Sequence, residues 1–178
     1  FIVMIVHEAP KSIVAHCVMH PLYKSSHKIN TNPLKYIDPI GLIMFALLGV
    51  GWQKPYEYNS TKYKDKSKGI LAVALTGLIA NLVFMAVLIP MAYIPLNGYV
   101  HFFIFTLIYF NFSITFVNLL PVPPLEMAKI IHSFSHNAYF KLMQNERIIH
   151  TVFIFLIVFD VVRRIVVTSY IAFRLPTN

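Results

Sequence analysis

Long apolar stretches separated by short polar loops run along most of the chain. Residues 69–95, 99–120 and 148–173 are each long enough to cross a hydrocarbon core, which takes about 20 helical residues. Residues 1–19 form a fourth apolar stretch that also carries polar side chains. The pattern predicts an all-α membrane protein with about four transmembrane spans. Because the chain begins inside an apolar run and without methionine, we also expect a further membrane segment upstream.

A shorter apolar run at residues 39–52 is too short for a span and has basic loops on both sides. The flanking lysines are Lys24, Lys28 and Lys35 before it and Lys54, Lys62, Lys64, Lys66 and Lys68 after it. Basic loops of membrane proteins lie in the cytoplasm, and both flanks obey this rule only if the run is re-entrant. We therefore predict a re-entrant segment and a cytoplasmic loop around Lys141, with the uncharged turn at Asn97 on the opposite side.

Composition supports a membrane protein. Of 178 residues, 57% are hydrophobic and 12% are charged, which is more apolar surface than a globule of this size can bury. The net charge of +8 comes mainly from loop lysines, so we expect lipid rather than nucleic acid as the charged partner. The single cysteine, Cys17, excludes an intrachain disulfide framework.

Ionisable side chains at membrane depth are costly and mark candidate functional sites. Near the N-terminus they are His7, Glu8 and Lys11. In the last apolar stretch Asp160 and Arg164 are four residues apart, so we expect them to pair on one helix face with Arg163 pointing elsewhere. Such a pair orients a helix or docks a partner, and these charges alone leave a small transporter or channel as a third class of function.

Several sequence motifs occur in a fixed order within residues 1–131. They are His7-Glu8, Asn32-Pro-Leu-Lys-Tyr-Ile-Asp-Pro-Ile-Gly41, Gly51-Trp-Gln-Lys-Pro55, a helix at residues 69–81 with a glycine four positions before Asn81, and Asn118-Leu-Leu-Pro-Val-Pro-Pro-Leu125. In these motifs the chain resembles the site-2 protease family of intramembrane zinc metalloproteases, in its compact prokaryotic form. The resemblance covers residues 1–131 and implies a membrane core there. From the hydrophobic pattern we expect residues 132–178 to continue the same domain with an amphipathic segment and a C-terminal transmembrane helix.

The resemblance also implies a zinc site that is incomplete in this chain. It assigns Glu8 as the catalytic base, His7 and Glu126 as metal ligands, and Asn81 as a substrate-binding residue. The Asn81 amide can equally serve only to hold two helices together. The family motif His-Glu-x-x-His has Lys11 at its second histidine, and Glu126 replaces an aspartate. An ammonium group is not a zinc ligand, so we expect zinc binding to be weak or absent. We expect Lys11 instead to occupy the vacated metal position and to pair with Glu126, Glu8 or both, the rival being a lysine that extends to the lipid headgroups.

Two hypotheses about function follow from these features. The first is a degenerate pseudoprotease in a prokaryotic cell membrane that binds membrane segments or a protein partner without cutting them. The alternative is an active enzyme that cleaves membrane-spanning substrates near the cytoplasmic leaflet. Histidine pairs at His16 and His20 and at His132 and His136 have metal-ligand spacing, but each lacks further ligands, and we expect interfacial histidines at both.

Overall fold

The computed structural model of the protein describes residues 1–25, 29, 32–57, 59–95 and 97–174, with the backbone alone for 172–174. The described residues form helices and turns, with one isolated β-bridge between Met19 and Tyr63. The helices are α1 (Ile2–Val18), α2 (Pro21–Lys24), α3 (Pro39–Leu48), α4 (Lys66–Met91), α5 (Gly98–Asn118), α6 (Glu126–Phe134), α7 (His136–Gln144), α8 (Glu146–Val158) and α9 (Val161–Arg174), with 3₁₀ turns at Pro33–Tyr36 and Ser60–Lys62.

Helices α4 and α5 correspond to two of the predicted spans in length and apolar composition. With 26 and 21 residues, they are the helices within the described part of the chain that are both long and apolar enough to cross a membrane. Helix α1 packs against α4, and α5 packs against both. This arrangement makes a membrane protein plausible, whereas the predicted total of about four spans stays a prediction.

The apolar run at residues 39–52 folds back on itself. Helix α3 ends at Gly49, whose φ of +69° is a left-handed conformation that glycine adopts without strain. The chain then returns along the helix so closely that a Cβ atom on Gly41 would lie 2.0 Å from the Trp52 carbonyl oxygen. The Trp52 indole donates a hydrogen bond of 3.2 Å to Asp38, the residue that caps the start of α3. The run thus begins and ends at the same place, as a re-entrant segment requires, but its position in a bilayer stays a prediction.

The second basic flank of this run contacts the end of α1, just before the first flank. The His20 amide donates to the Lys62 carbonyl at 2.9 Å, and the Lys64 amide donates to the Val18 carbonyl at 3.1 Å. These bonds join residues 18–20, which precede the first basic flank, to residues 62–64 of the second. Lys28 lies outside the described residues, but Lys24 and Lys64 both lie near this junction in sequence. The contact agrees with a common side for both flanks.

Residues 148–173 were expected to form one continuous helix, but this last apolar stretch forms two. It breaks between α8 and α9, where Asp160 has a φ of +63°. The break also changes the ion pair. Because Asp160 precedes α9 rather than lying inside a helix, its carboxylate meets Arg163 at 3.7 Å, and the predicted pairing with Arg164 is wrong.

Candidate functional site

Helix α1 directs His7, Glu8 and Lys11 into the core, and all three side chains are fully buried. Positions three and four apart share one helix face, which explains why Lys11 lies near both of the others. A glycine on α4 makes room for them, since a Cβ atom on Gly77 would lie 2.5 Å from Lys11 Cε and 2.6 Å from His7 Nε2. Lys11 lies seven residues before Val18, about 10 Å along the axis from the end of the helix. The cluster is therefore enclosed between α1 and α4.

The Lys11 ammonium bridges two carboxylates. Its Nζ lies 2.7 Å from Glu8 Oε1 and 2.6 Å from Glu126 Oε1, and neither carboxylate is exposed. Glu126 reaches this position because α6 begins immediately after the proline-rich turn and packs against α4. The predicted pairing of Lys11 with these glutamates is confirmed, and the rival orientation towards the headgroups is wrong.

A second lysine completes the cluster and was missed by sequence reasoning. Lys129 Nζ lies 2.9 Å from Glu126 Oε1, and Lys129 is only 4% exposed. Two ammonium groups therefore face two carboxylates, and the enclosed charges sum to zero. Burial alone would raise the pKa of Glu126, but the ammonium groups of Lys11 and Lys129 outweigh it and hold that pKa below its ordinary value. The signal in the sequence was the spacing of three between Glu126 and Lys129 on one helix.

A chain of hydrogen bonds orients His7. The Thr115 hydroxyl donates to the Asn111 carbonyl at 2.7 Å, so its oxygen accepts from the Asn81 amide nitrogen at 3.1 Å. The same amide nitrogen lies 2.9 Å from His7 Nδ1. An amide NH₂ group is a donor only, so Nδ1 accepts, and a neutral imidazole then carries its proton on Nε2. That Nε2 is buried and has no hydrogen-bond partner in the described part of the chain.

The sequence resemblance implies a zinc ion at the donor atoms of this cluster. One ligand atom each from His7, Glu8 and Glu126 lies within 4.8 Å of the others, which is close enough for one ion. However, the Lys11 ammonium is bonded to both carboxylates, and His7 Nε2 carries a proton rather than a lone pair. Catalytic zinc usually has three protein ligands with free electron pairs. As placed, these residues do not fit a zinc ion.

The asparagines serve mainly as internal ties. The Asn111 amide donates to the Asn81 carbonyl at 2.7 Å, which joins α5 to α4. Asn118 and Gln53 exchange two hydrogen bonds of 3.0 Å, which fixes the returning arm of the α3 fold-back to the end of α5. Asn81 Oδ1 is buried without a partner among the described residues, so it is the part of this amide left for a ligand.

The histidine pairs with metal-ligand spacing do not form larger clusters of metal ligands within the described ranges. His20 is the N-cap of α2 and accepts from the Leu22 amide at 3.4 Å, so it does not share a helix with His16. His132 and His136 lie on α6 and α7, with ring nitrogens 3.2 Å apart. Partial burial, and then the neighbouring His136, lower the pKa of His132. Their predicted position at the membrane interface stays a prediction.

One curated protein offers a comparison. The chain is 29% identical over 136 residues to the Bacillus subtilis (strain 168) protein named "Putative zinc metalloprotease YwhC". The match covers 70% of this chain and 62% of the relative, so the chain spans less than two thirds of the length of that protein. No family model matches the chain, and no solved structure matches it. The similarity supports a metalloprotease-like relationship for this chain.

Proposed function

We propose that this protein is a site-2-protease-like integral membrane protein whose catalytic centre is degenerate, and that it binds membrane segments or a protein partner without cutting them. The observation that carries the proposal is the Lys11 ammonium held between Glu8 and Glu126. In the metalloprotease reading, the general base and a metal ligand occupy these two positions. Here both carboxylates are already neutralised by a group that belongs to the chain.

Charge balance supports the loss of metal. Two carboxylates in an enclosed site need two compensating positive charges, because isolated buried charges are costly. A divalent cation supplies two, and so do Lys11 and Lys129 together. A zinc ion added to the cluster as it stands would bring the enclosed charge to +2. Zinc binding is thus expected to be weak or absent in this protein, and no catalytic step is assigned to a zinc ion.

The membrane placement is part of the same proposal. Helices α4 and α5 support a membrane location, and the junction between residues 18–20 and 62–64 supports a common side for the two basic flanks. We place these flanks in the cytoplasm of a prokaryotic cell, with the α3 fold-back entering the bilayer from that side. Bilayer lipid and a membrane-spanning polypeptide are then the expected partners. Asn81 Oδ1 is the expected contact for the polypeptide.

The alternative is an active intramembrane zinc metalloprotease, and two observations favour it. The relative from Bacillus subtilis is named as a putative zinc metalloprotease, and the donor atoms of His7, Glu8 and Glu126 lie within 4.8 Å of one another. This alternative requires Lys11 to leave both carboxylates and His7 to move its proton to Nδ1. The second change requires the Asn81 amide to turn over, which breaks its donation to Thr115.

The zinc content of the purified protein decides between the pseudoprotease and the active protease. The full chain is purified in detergent from zinc-supplemented cells, and zinc is counted per protein molecule alongside cleavage of a membrane-spanning model substrate. We expect far less than one zinc and no cleavage. Lys11→His restores the second histidine and removes one ammonium, and should raise the zinc content. Lys11→His combined with Lys129→Met removes both ammonium groups and should raise it further. Stoichiometric zinc in the unaltered chain, with cleavage that Glu8→Gln abolishes, contradicts the proposal.

A further inference from the structure

The break between α8 and α9 forms an elbow, defined here as Asp160, Arg163, Arg164 and the apolar side chains around them. Asp160 has a φ of +63°, a conformation that residues with a side chain seldom adopt. The backbone of Asp160 is hydrogen-bonded to both helices. Its amide donates to the Ile157 carbonyl of α8, and its carbonyl accepts from the Arg164 amide of α9, each at 3.0 Å. The two helices are thus interrupted at Asp160, which keeps one backbone hydrogen bond to each of them.

The elbow lies beside the middle of α5. Arg163 interacts with the side chain of Tyr109, and Tyr109 packs edge-on against Tyr170 of α9 with ring centroids 5.7 Å apart. Tyr109 is eleven residues from the start of α5 at Gly98 and nine from its end at Asn118, which is about 16 Å and 14 Å along the axis. If α5 crosses a bilayer, the elbow is therefore far from both headgroup layers.

The elbow presents unbalanced charge on an apolar surface. Arg163 is 49% exposed and its partner Asp160 is 38% exposed. Arg164 is also exposed, and its side chain has no ion-pair or hydrogen-bond partner in the part of the chain that the structure describes. The exposed neighbours are apolar, namely Phe155, Phe159, Val161 and Ile165. The elbow thus carries one carboxylate and two guanidinium groups, and the guanidinium of Arg164 is left without a counter-charge, which is costly in hydrocarbon.

We propose that the elbow docks a transmembrane helix of a partner protein that carries a carboxylate near its middle. A carboxylate at that depth would neutralise Arg164 beside the Asp160–Arg163 pair, while the apolar neighbours pack against the partner helix. The proposal rests on the membrane-spanning arrangement proposed above and adds a docking surface and the chemistry of its partner. A symmetric pair of this chain fits less well, because two-fold packing at the elbow brings like Arg164 groups together. Anionic headgroups are about 15 Å away, beyond the reach of an arginine side chain.

The test uses a leucine-rich transmembrane peptide with one central glutamate, incorporated with the full-length protein in phosphatidylcholine vesicles. Matched peptides carry glutamine or lysine at the same place, and association is followed by energy transfer between fluorescent labels. We expect the glutamate peptide to bind roughly tenfold more tightly than the glutamine peptide, within the range of polar interactions between membrane helices. Arg164→Gln should remove most of this preference. Arg164→Glu should transfer the preference to the lysine peptide, which also shows that the altered protein is folded.

Arg147→Gln is the matched control, because Arg147 is an exposed arginine at the opposite end of α8. It should leave the preference for glutamate unchanged. Equal binding of the glutamate and glutamine peptides overturns the docking proposal. So does self-association of the protein that Arg164→Gln abolishes, because the elbow would then join two copies of this chain. Cleavage of the bound peptide would instead contradict the pseudoprotease proposal and leave the docking surface intact.

Discussion

Lys11 and Glu126 are 115 residues apart in the chain, and their side chains meet at 2.6 Å with no exposure to solvent. This contact ties the first helix to the helix that follows the proline-rich turn. A buried ion pair is costly to break by removal of one partner, because the other charge is left uncompensated.

Lys11→Met should therefore destabilise the protein by about 3–5 kcal/mol. Lys11→Met combined with Glu126→Gln should recover much of that loss, since both charges leave together. The free energy of unfolding of each variant in detergent micelles completes a double-mutant cycle. Losses that simply add would mean that the two side chains are not coupled.

Gly77→Ala tests the close approach of α1 and α4. The added methyl would lie 2.5 Å from Lys11 Cε and 2.6 Å from His7 Nε2, so the cluster must shift. Overpacking of this kind costs about 1–3 kcal/mol. Gly98→Ala is the control, because nothing lies within 4 Å of a Cβ atom there. Thermal unfolding of the two variants should differ, and equal unfolding temperatures would count against the packing described here.

His7 should carry its proton on Nε2 and leave Nδ1 unprotonated. The reason is the Asn81 amide, which can only donate to Nδ1. Nitrogen-15 NMR of histidine-labelled protein separates protonated from unprotonated ring nitrogens, and His7→Gln identifies the signal. A proton on Nδ1 would show that the amide has the opposite orientation and that Nε2 is free to bind a metal.

The side of each loop can be measured with single cysteines in a Cys17→Ala background. Lys24→Cys, Lys64→Cys and Lys141→Cys should react with an impermeant reagent from the cytoplasmic side, and Asn97→Cys from the other. The reason is the excess of lysine in the first three regions and its absence from the last. Labelling of positions 24 and 64 from opposite sides would mean that the α3 run crosses the bilayer.

Sequence reasoning found the parts of the site that follow from charge. A lysine at the second histidine position, with two glutamates in reach, had to be paired or to point away, and burial favours pairing. Lys129 was missed because a lysine on a short amphipathic helix is usually exposed, and the sequence does not show that α6 turns this face towards α4. The pairing of Gln53 with Asn118 was missed for a related reason, since it depends on where the returning arm of the fold-back lies.

The helix boundaries were also predicted only in part from the sequence. Hydrophobic length predicted α4 and α5 closely, because continuous apolar sequence and helix length are directly related in a span. The break at Asp160 was not predicted, because apolar periodicity carries no information about a single left-handed residue. The error in the ion pair followed from the error in the helix, since the spacing of four applies only within a continuous helix.

The balance of Lys11 and Lys129 against Glu8 and Glu126 has a consequence for how the protein matures. A site that depends on a divalent ion is complete only after that ion has been acquired, so its folding is linked to the supply of the metal. Here the compensating charges are carried by the chain and arrive as α1 and α6 come together. The core of this protein should therefore assemble as well in cells starved of zinc as in cells that have it, with no step of metal delivery.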